Sequence, residues 1–183
     1  MAGFGGCAFG SSCGPLSVAA SDCGSGMTDR VGPKHLAEFN IGVLKYDWDD
    51  PRVADFQNNL DRVFAIAERS PGYVWHLQGD EMEAAQLDPD GPLGGNPRTA
   101  STLSVWEDAA SLEHFVWNTL HKRFYDRRGE WYDPEGQGLR LVMWWVPEGH
   151  RPTIAEAAER LALLEATGDS DSAFGWDWLR RTA

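Results

Sequence analysis

Apolar and polar residues alternate along HLAEFNIGVLKY, residues 35–46. His35, Ala37, Phe39, Ile41 and Val43 point one way, and Leu36, Glu38, Asn40, Gly42 and Leu44 the other. That period of two predicts a strand with unlike faces. In the next stretch Val53, Phe56, Leu60, Val63, Phe64 and Ala67 recur at helical spacing. Asp49 or Asp50 is the expected cap, Pro51 belongs to the first turn, and Pro71-Gly72 stops the helix. YVWHLQ (73–78) returns to alternation, with Tyr73, Trp75 and Leu77 on one face and Val74, His76 and Gln78 on the other. The acidic, Gly- and Pro-rich stretch 79–98 reads as a long loop, of the kind that is either a lid or simply mobile.

TASTLSVWE (99–107) predicts a third strand and GLRLVMWWVPEG (138–149) a fourth. Between them DAASLEHFVWNTLHKRFYDRRGEWY is helical, with Asp108 as its cap. Thr153 and Glu156 form the capping-box signature of a last helix. The tail that follows carries Trp176, Trp178 and Leu179, which must pack back on the domain or on a partner. Strand, helix, strand, strand, helix, strand, helix is the split βαβ pattern repeated. It predicts an α+β, ferredoxin-like domain over 35–183: a four-stranded antiparallel sheet with helices on one face. A second copy of the chain is the simplest cover for the other face, which gives a homodimer closed into a dimeric α+β barrel.

The helix after the third strand carries two apolar seams. Leu112, Phe115, Val116 and Thr119 form one, and Trp117, Phe124 and Trp131 the other. One straight helix cannot bury both against one sheet, so a bend is expected near Asn118–His121.

Composition narrows the partners. The chain has 183 residues, 42% of them hydrophobic, and a formal net charge of −12. That length supports one globular domain. The charge disfavours nucleic acid and anionic membranes as partners. The first 34 residues sum to zero charge and hold Cys7, Cys13 and Cys23 amid Gly, Ser and Ala. They are expected to be a disordered tail, or an extension upstream of a start at Met27. The rest has no cysteine, so thiol catalysis is excluded there and a cytoplasmic location is expected. Phosphate loops, metal spacings and Gly-x-Ser-x-Gly elbows are not present, and no metal is expected.

HLAEFNIG, DPRVADF, SPGYVWHLQ, LSVWEDAASLEHFVWNTLHKRFYDRRGEW and LVMWWVPEGHRPTIAEAAERLALL resemble the bacterial DUF3291 family, a domain of unknown function, over roughly residues 35–178. That family sits in the dimeric α+β barrel superfamily beside the antibiotic-biosynthesis monooxygenases. The resemblance implies a small-molecule enzyme, monooxygenase-like and cofactor-independent, acting on an aromatic or polyketide-like substrate. Haem-degrading members of the superfamily use an Asn on the first strand, a Trp on the third and a His on the second helix. Asn40, Trp106 and His121 occupy matching elements, although His121 comes later after Trp106 than that arrangement implies. Haem is therefore the alternative cofactor, and a haem- or ligand-binding barrel without turnover the alternative function.

The expected catalytic residues are His121, at the bend, with Asn40 and His76. Asn40 is an amide in mid-strand that needs hydrogen-bond partners if buried. His76 either lines the pocket or is a satisfied core histidine. Phe39, Trp75, Trp106, Trp117 and Trp145 are expected to line an apolar pocket for the substrate. His114 is expected to be solvated and His150 a structural turn residue. The basic run Lys122, Arg123, Arg127 and Arg128 reads as a solvated face.

Overall fold

Four strands carry the architecture: β1 (Lys34–Val43), β2 (Tyr73–His76), β3 (Thr99–Trp106) and β4 (Arg140–Pro147). The structure is a computed structural model that describes residues 34–133 and 138–182. The expected tail therefore lies, apart from Lys34, outside the described residues. The strands order as β2-β3-β1-β4, every neighbouring pair antiparallel. Leu36, Glu38 and Asn40 stand opposite Trp106, Ser104 and Thr102 on β3, and opposite Trp145, Met143 and Leu141 on β4. The alternation thus gives one largely apolar face, with Ala37, Phe39, Ile41, Leu103, Val105, Val142 and Trp144. The opposite face interrupts its apolar residues with Glu38, Asn40, Thr102 and Ser104.

Seven α-helices and one 3-10 turn (Arg128–Glu130) complete the described residues: α1 (Ala54–Gln57), α2 (Leu60–Ala67), α3 (Gly79–Leu87), α4 (Ala109–Asn118), α5 (Leu120–Asp126), α6 (Ile154–Thr167) and α7 (Trp176–Thr182). The mixed face of the sheet packs against α2, α4 and α7 through Val63, Ala67, Leu112, Phe115, Val116 and Leu179. The apolar face packs against α6 and α3. Ile154, Ala157, Leu161 and Leu164 recur at helical spacing on α6 and meet Phe39, Val142 and Trp144, all buried. This corrects the expectation of helices on one face only. A single chain buries both faces, because α6 supplies the cover assigned to a second copy.

Other departures are local. The expected helix from Asp49 breaks in two at Asn58–Asn59. Asn59 Nδ2 donates to the Asp55 carbonyl oxygen at 2.8 Å, so the side chain competes with the backbone for that acceptor. Asp50 caps only a turn, accepting from the Arg52 amide at 2.9 Å. Residues 79–87 are helical rather than loop. Glu81, Met82, Glu83, Ala84, Ala85 and Gln86 are strong helix formers, and the glycines and prolines that follow mask them in a composition-based reading.

The bend at Asn118–His121 is present as a break. Thr119 is extended (φ −121°, ψ −171°); it closes α4 and opens α5. Its hydroxyl donates to the Phe115 carbonyl oxygen at 2.6 Å and accepts from the His121 amide at 3.2 Å. The tail packs back on the domain. Phe174 exchanges two main-chain hydrogen bonds with Met143 (2.8 and 2.9 Å), which covers the open edge of β4. Trp178 stacks on Phe174 with ring centroids 4.2 Å apart. No helix of the described residues is long and apolar enough to cross a membrane.

Candidate functional site

The mixed face of the sheet and helices α2, α4 and α5 enclose a cavity of about 550 Å³. Its walls are mostly aromatic and aliphatic: Phe64 and Val63 from α2, Phe115 and Val116 from α4, Phe124 from α5 and Trp106 from β3. Its floor is the row Glu38, Asn40, Thr102 and Ser104. A carboxyl, an amide and two hydroxyls side by side under an apolar vault are costly unless they satisfy one another.

They do so in a connected chain. Asn40 Nδ2 donates to Glu38 Oε1 at 2.9 Å and to Thr102 Oγ1 at 2.6 Å. Ser104 Oγ donates to Glu38 Oε2 at 3.1 Å while accepting from Trp106 Nε1 at 3.0 Å. The indole N–H fixes which way the Ser104 hydroxyl points. Glu38 is only 6% exposed. Burial pushes its carboxyl up to about 7, against the pull of the hydrogen bonds from Asn40 and Ser104. A carboxyl in that range exchanges a proton readily at neutral pH.

Two histidines share the cavity. His121 stands at the break between α4 and α5, half-buried, with Nδ1 3.3 Å from the Val116 carbonyl oxygen and its ring 4.9 Å from Phe115. Burial lowers its proton affinity, partly offset by that carbonyl. His76 is buried on β2, stacked on Phe64 at 4.9 Å, with Nδ1 2.6 Å from the Tyr73 hydroxyl. Burial lowers His76 also, partly offset by Glu68, and raises Tyr73. Tyr73 and His76 share a face because β2 bulges. Tyr73 pairs with Trp106 and Trp75 with Val105, which leaves Val74 as the extra residue.

An aromatic cluster closes one end of the cavity. Trp131 lies between Phe56 and Phe124, with centroids 5.2 and 5.9 Å away. Tyr132 lies against Gly42, where an added Cβ would come 2.7 Å from Tyr132 Cδ1. Gly42→Ala is expected to displace that ring and destabilise the fold by about 1–3 kcal/mol, which equilibrium denaturation would measure. An unchanged midpoint would show that the contact is slack.

Of the residues singled out from the sequence, Asn40, His76, His121 and Trp106 line this cavity. The other four do not. Phe39 and Trp75 belong to the opposite face of the sheet, Phe39 fully buried under α6 and Trp75 beneath Arg151. Trp117 packs on Tyr125 and Trp176, 4.9 and 5.7 Å away. Trp145 is on the cavity's side of the sheet but on the edge strand, against Phe174. His114 is exposed, and His150 Nε2 meets Glu156 Oε2 at 2.8 Å in a turn. Glu38, central to the cavity, is not among the residues the sequence pattern singles out. Its signal was present, since an acid two residues before Asn40 shares its face with that amide. No group of three or more His, Cys, Asp or Glu side chains among the described residues is placed to hold a metal ion.

These features define a class: an α+β domain with one antiparallel sheet and an apolar cavity built around a buried, protonatable carboxyl. The chain belongs to the family described as domain of unknown function DUF3291, which matches residues 35–182. Two solved structures are similar at low identity. The crystal structure of PA3566 from Pseudomonas aeruginosa is 15% identical, covers 62% of this chain and 94% of its own, and has a TM-score of 0.42. That of NE2512, a protein of unknown function from Nitrosomonas europaea, is 11% identical, covers 66% and 97%, and also scores 0.42. No curated protein matches the chain.

Proposed function

We propose that this protein is a small-molecule enzyme that moves a proton between Glu38 and a flat, apolar substrate. One observation carries the reading: a carboxyl held near neutrality by burial, on the floor of a cavity large enough for a small ring system. Asn40, Ser104 and Trp106 hold the carboxyl in place. His121 and His76, both kept neutral by burial, are the second proton carriers. In the monooxygenase-like version Glu38 takes the proton of an electron-rich aromatic or polyketide-like substrate, and the resulting carbanion reacts with oxygen without a cofactor. The strand order β2-β3-β1-β4 supports the ferredoxin-like, dimeric α+β barrel superfamily. A homodimer goes with that reading, as does a cytoplasmic location. The interface must then lie elsewhere than on the face α6 covers, and light scattering would read the mass.

The test is a pair of variants assayed on phenolic and polyketide-like compounds, with oxygen uptake as one readout. Glu38→Gln is expected to lower turnover at least about 100-fold, the scale of a lost general base. His121→Ala should lower turnover or affinity with the fold intact, while His114→Ala, exposed, changes neither. Full activity in Glu38→Gln would sink the proposal.

A second reading, haem binding without turnover, is favoured by His121. Its Nδ1 faces a main-chain carbonyl, so Nε2 is the atom that would hold the iron, and Asn40 and Trp106 share its cavity. The propionates fit less well, since Arg128 is the single cation among the lining side chains. Haem titration yielding a Soret shift that His121→Ala abolishes would support it.

A further inference from the structure

The polar floor of the cavity is asymmetric in what it offers a ligand. Both N–H bonds of the Asn40 amide are taken, by Glu38 Oε1 and Thr102 Oγ1. The Ser104 hydroxyl is committed to Glu38 Oε2, and the Trp106 indole N–H to Ser104. The donors that reach Glu38 are therefore spent on the protein itself, and of the floor side chains only the Thr102 hydroxyl, which accepts from Asn40, keeps its O–H uncommitted. Beside that one hydroxyl, the floor offers acceptors: the carboxyl has four lone-pair positions when ionised and two of them are still open.

Charge has the same sign. The lining side chains that carry formal charge are Glu38, Glu83 and Arg128. Glu83 and Arg128 are exposed, at the rim. The Arg128 guanidinium lies 4.2 Å over the Tyr125 ring and donates to the Tyr125 carbonyl oxygen at 2.9 Å. The two imidazoles in the interior are neutral. An anionic group pushed to the floor would meet a carboxylate, no counter-charge and a single hydroxyl donor, that of Thr102, in a low-dielectric setting where an uncompensated charge is expensive. A hydroxyl or an ammonium would instead complete the acceptor set of Glu38. The walls complement a flat body: Trp106 and Phe115 stack at 5.1 Å and Phe64 lies over His76.

We propose that the cavity takes a flat ligand whose inserted end is uncharged or cationic and carries a hydroxyl or amino group, and that it turns away the matching carboxylates and phosphates. This rests on the cavity being a small-molecule site but not on any turnover.

Three probes with one ring system test it on the full chain at pH 8 by calorimetric titration: 2-naphthol, 2-naphthylmethylamine and 2-naphthoate. Naphthol and the amine are expected to bind at least about tenfold tighter than naphthoate, equivalent to ~1.4 kcal/mol. Shifts of the His121 ring resonances would place them in the cavity. Glu38→Gln should bring the amine and naphthoate to within about threefold of each other. Naphthoate binding as tightly as naphthol overturns the proposal and leaves proton transfer by Glu38 standing. A preference that survives in Glu38→Gln overturns it as well. Binding by none of the three overturns both this proposal and the small-molecule site beneath it.

Discussion

Glu38→Gln is expected to be more stable than the parent protein at pH 8 by about 2–3 kcal/mol, and to show no such advantage at pH 4. The folded protein holds the Glu38 proton more tightly than an unfolded chain does, at about 7 against 4.5. Below pH 4.5 the group is protonated in both states and costs nothing. Between 4.5 and about 7 the unfolded chain releases the proton first, so stability falls as pH rises. Above 7 the folded state carries the full cost of a buried carboxylate, roughly 3 kcal/mol for a shift of that size. Glutamine keeps the shape and removes the charge, and Asn40 can turn its amide to present oxygen instead of N–H. Denaturant titrations of both proteins from pH 4 to 8 isolate this one group, because every other titration is common to the pair. A difference that does not change with pH would mean Glu38 is ionised at its ordinary value, and the acid–base reading of the cavity would lose its basis.

Trp144→Ala should cost about 3–5 kcal/mol, the usual range for removing a large aromatic side chain from a tight core. Trp144 is 1% exposed, packs beneath α6, and donates its indole N–H to Glu156 Oε1 at 2.9 Å. Leu161→Ala, on the helix side of the same contact, should cost about 2–5 kcal/mol. Both losses should be independent of protein concentration, because the cover belongs to the same chain. A loss that changes with concentration would show instead that a second copy seals this face. Equilibrium denaturation at two concentrations about a hundredfold apart would decide it.

The strands were legible because a two-residue period survives wherever one face is buried and the other mixed. The break at Thr119 was legible for a related reason: two apolar seams on different sides of one straight helix cannot both face one sheet. What the pattern could not show was which face needed which cover. Phe39 and Trp144 are apolar enough to suit a partner chain or a helix of the same chain, and only the stripe Ile154, Ala157, Leu161 and Leu164 on α6 decides. The site was half visible. Asn40 signals itself as a lone amide in mid-strand, whereas Glu38 reads as an ordinary solvent-facing acid until α2 and α4 close over it. Tryptophans mislead for the opposite reason. Trp75, Trp117 and Trp145 are conspicuous in sequence, yet each one fills a contact away from the cavity.

The bulge in β2 makes arithmetic out of chemistry. In an unbroken strand Tyr73 and His76, three apart, would face opposite ways, and the pair would be divided between two sides of the sheet. Val74, exposed on the edge, is the residue the ladder skips. Its removal would leave Tyr73 and His76 two apart and still together, while any change that drew it into the ladder would turn the imidazole out of the cavity with no atom of the site altered. At this rim the contents of the pocket answer to the number of residues in an edge strand, so insertions and deletions can re-equip it faster than substitutions can.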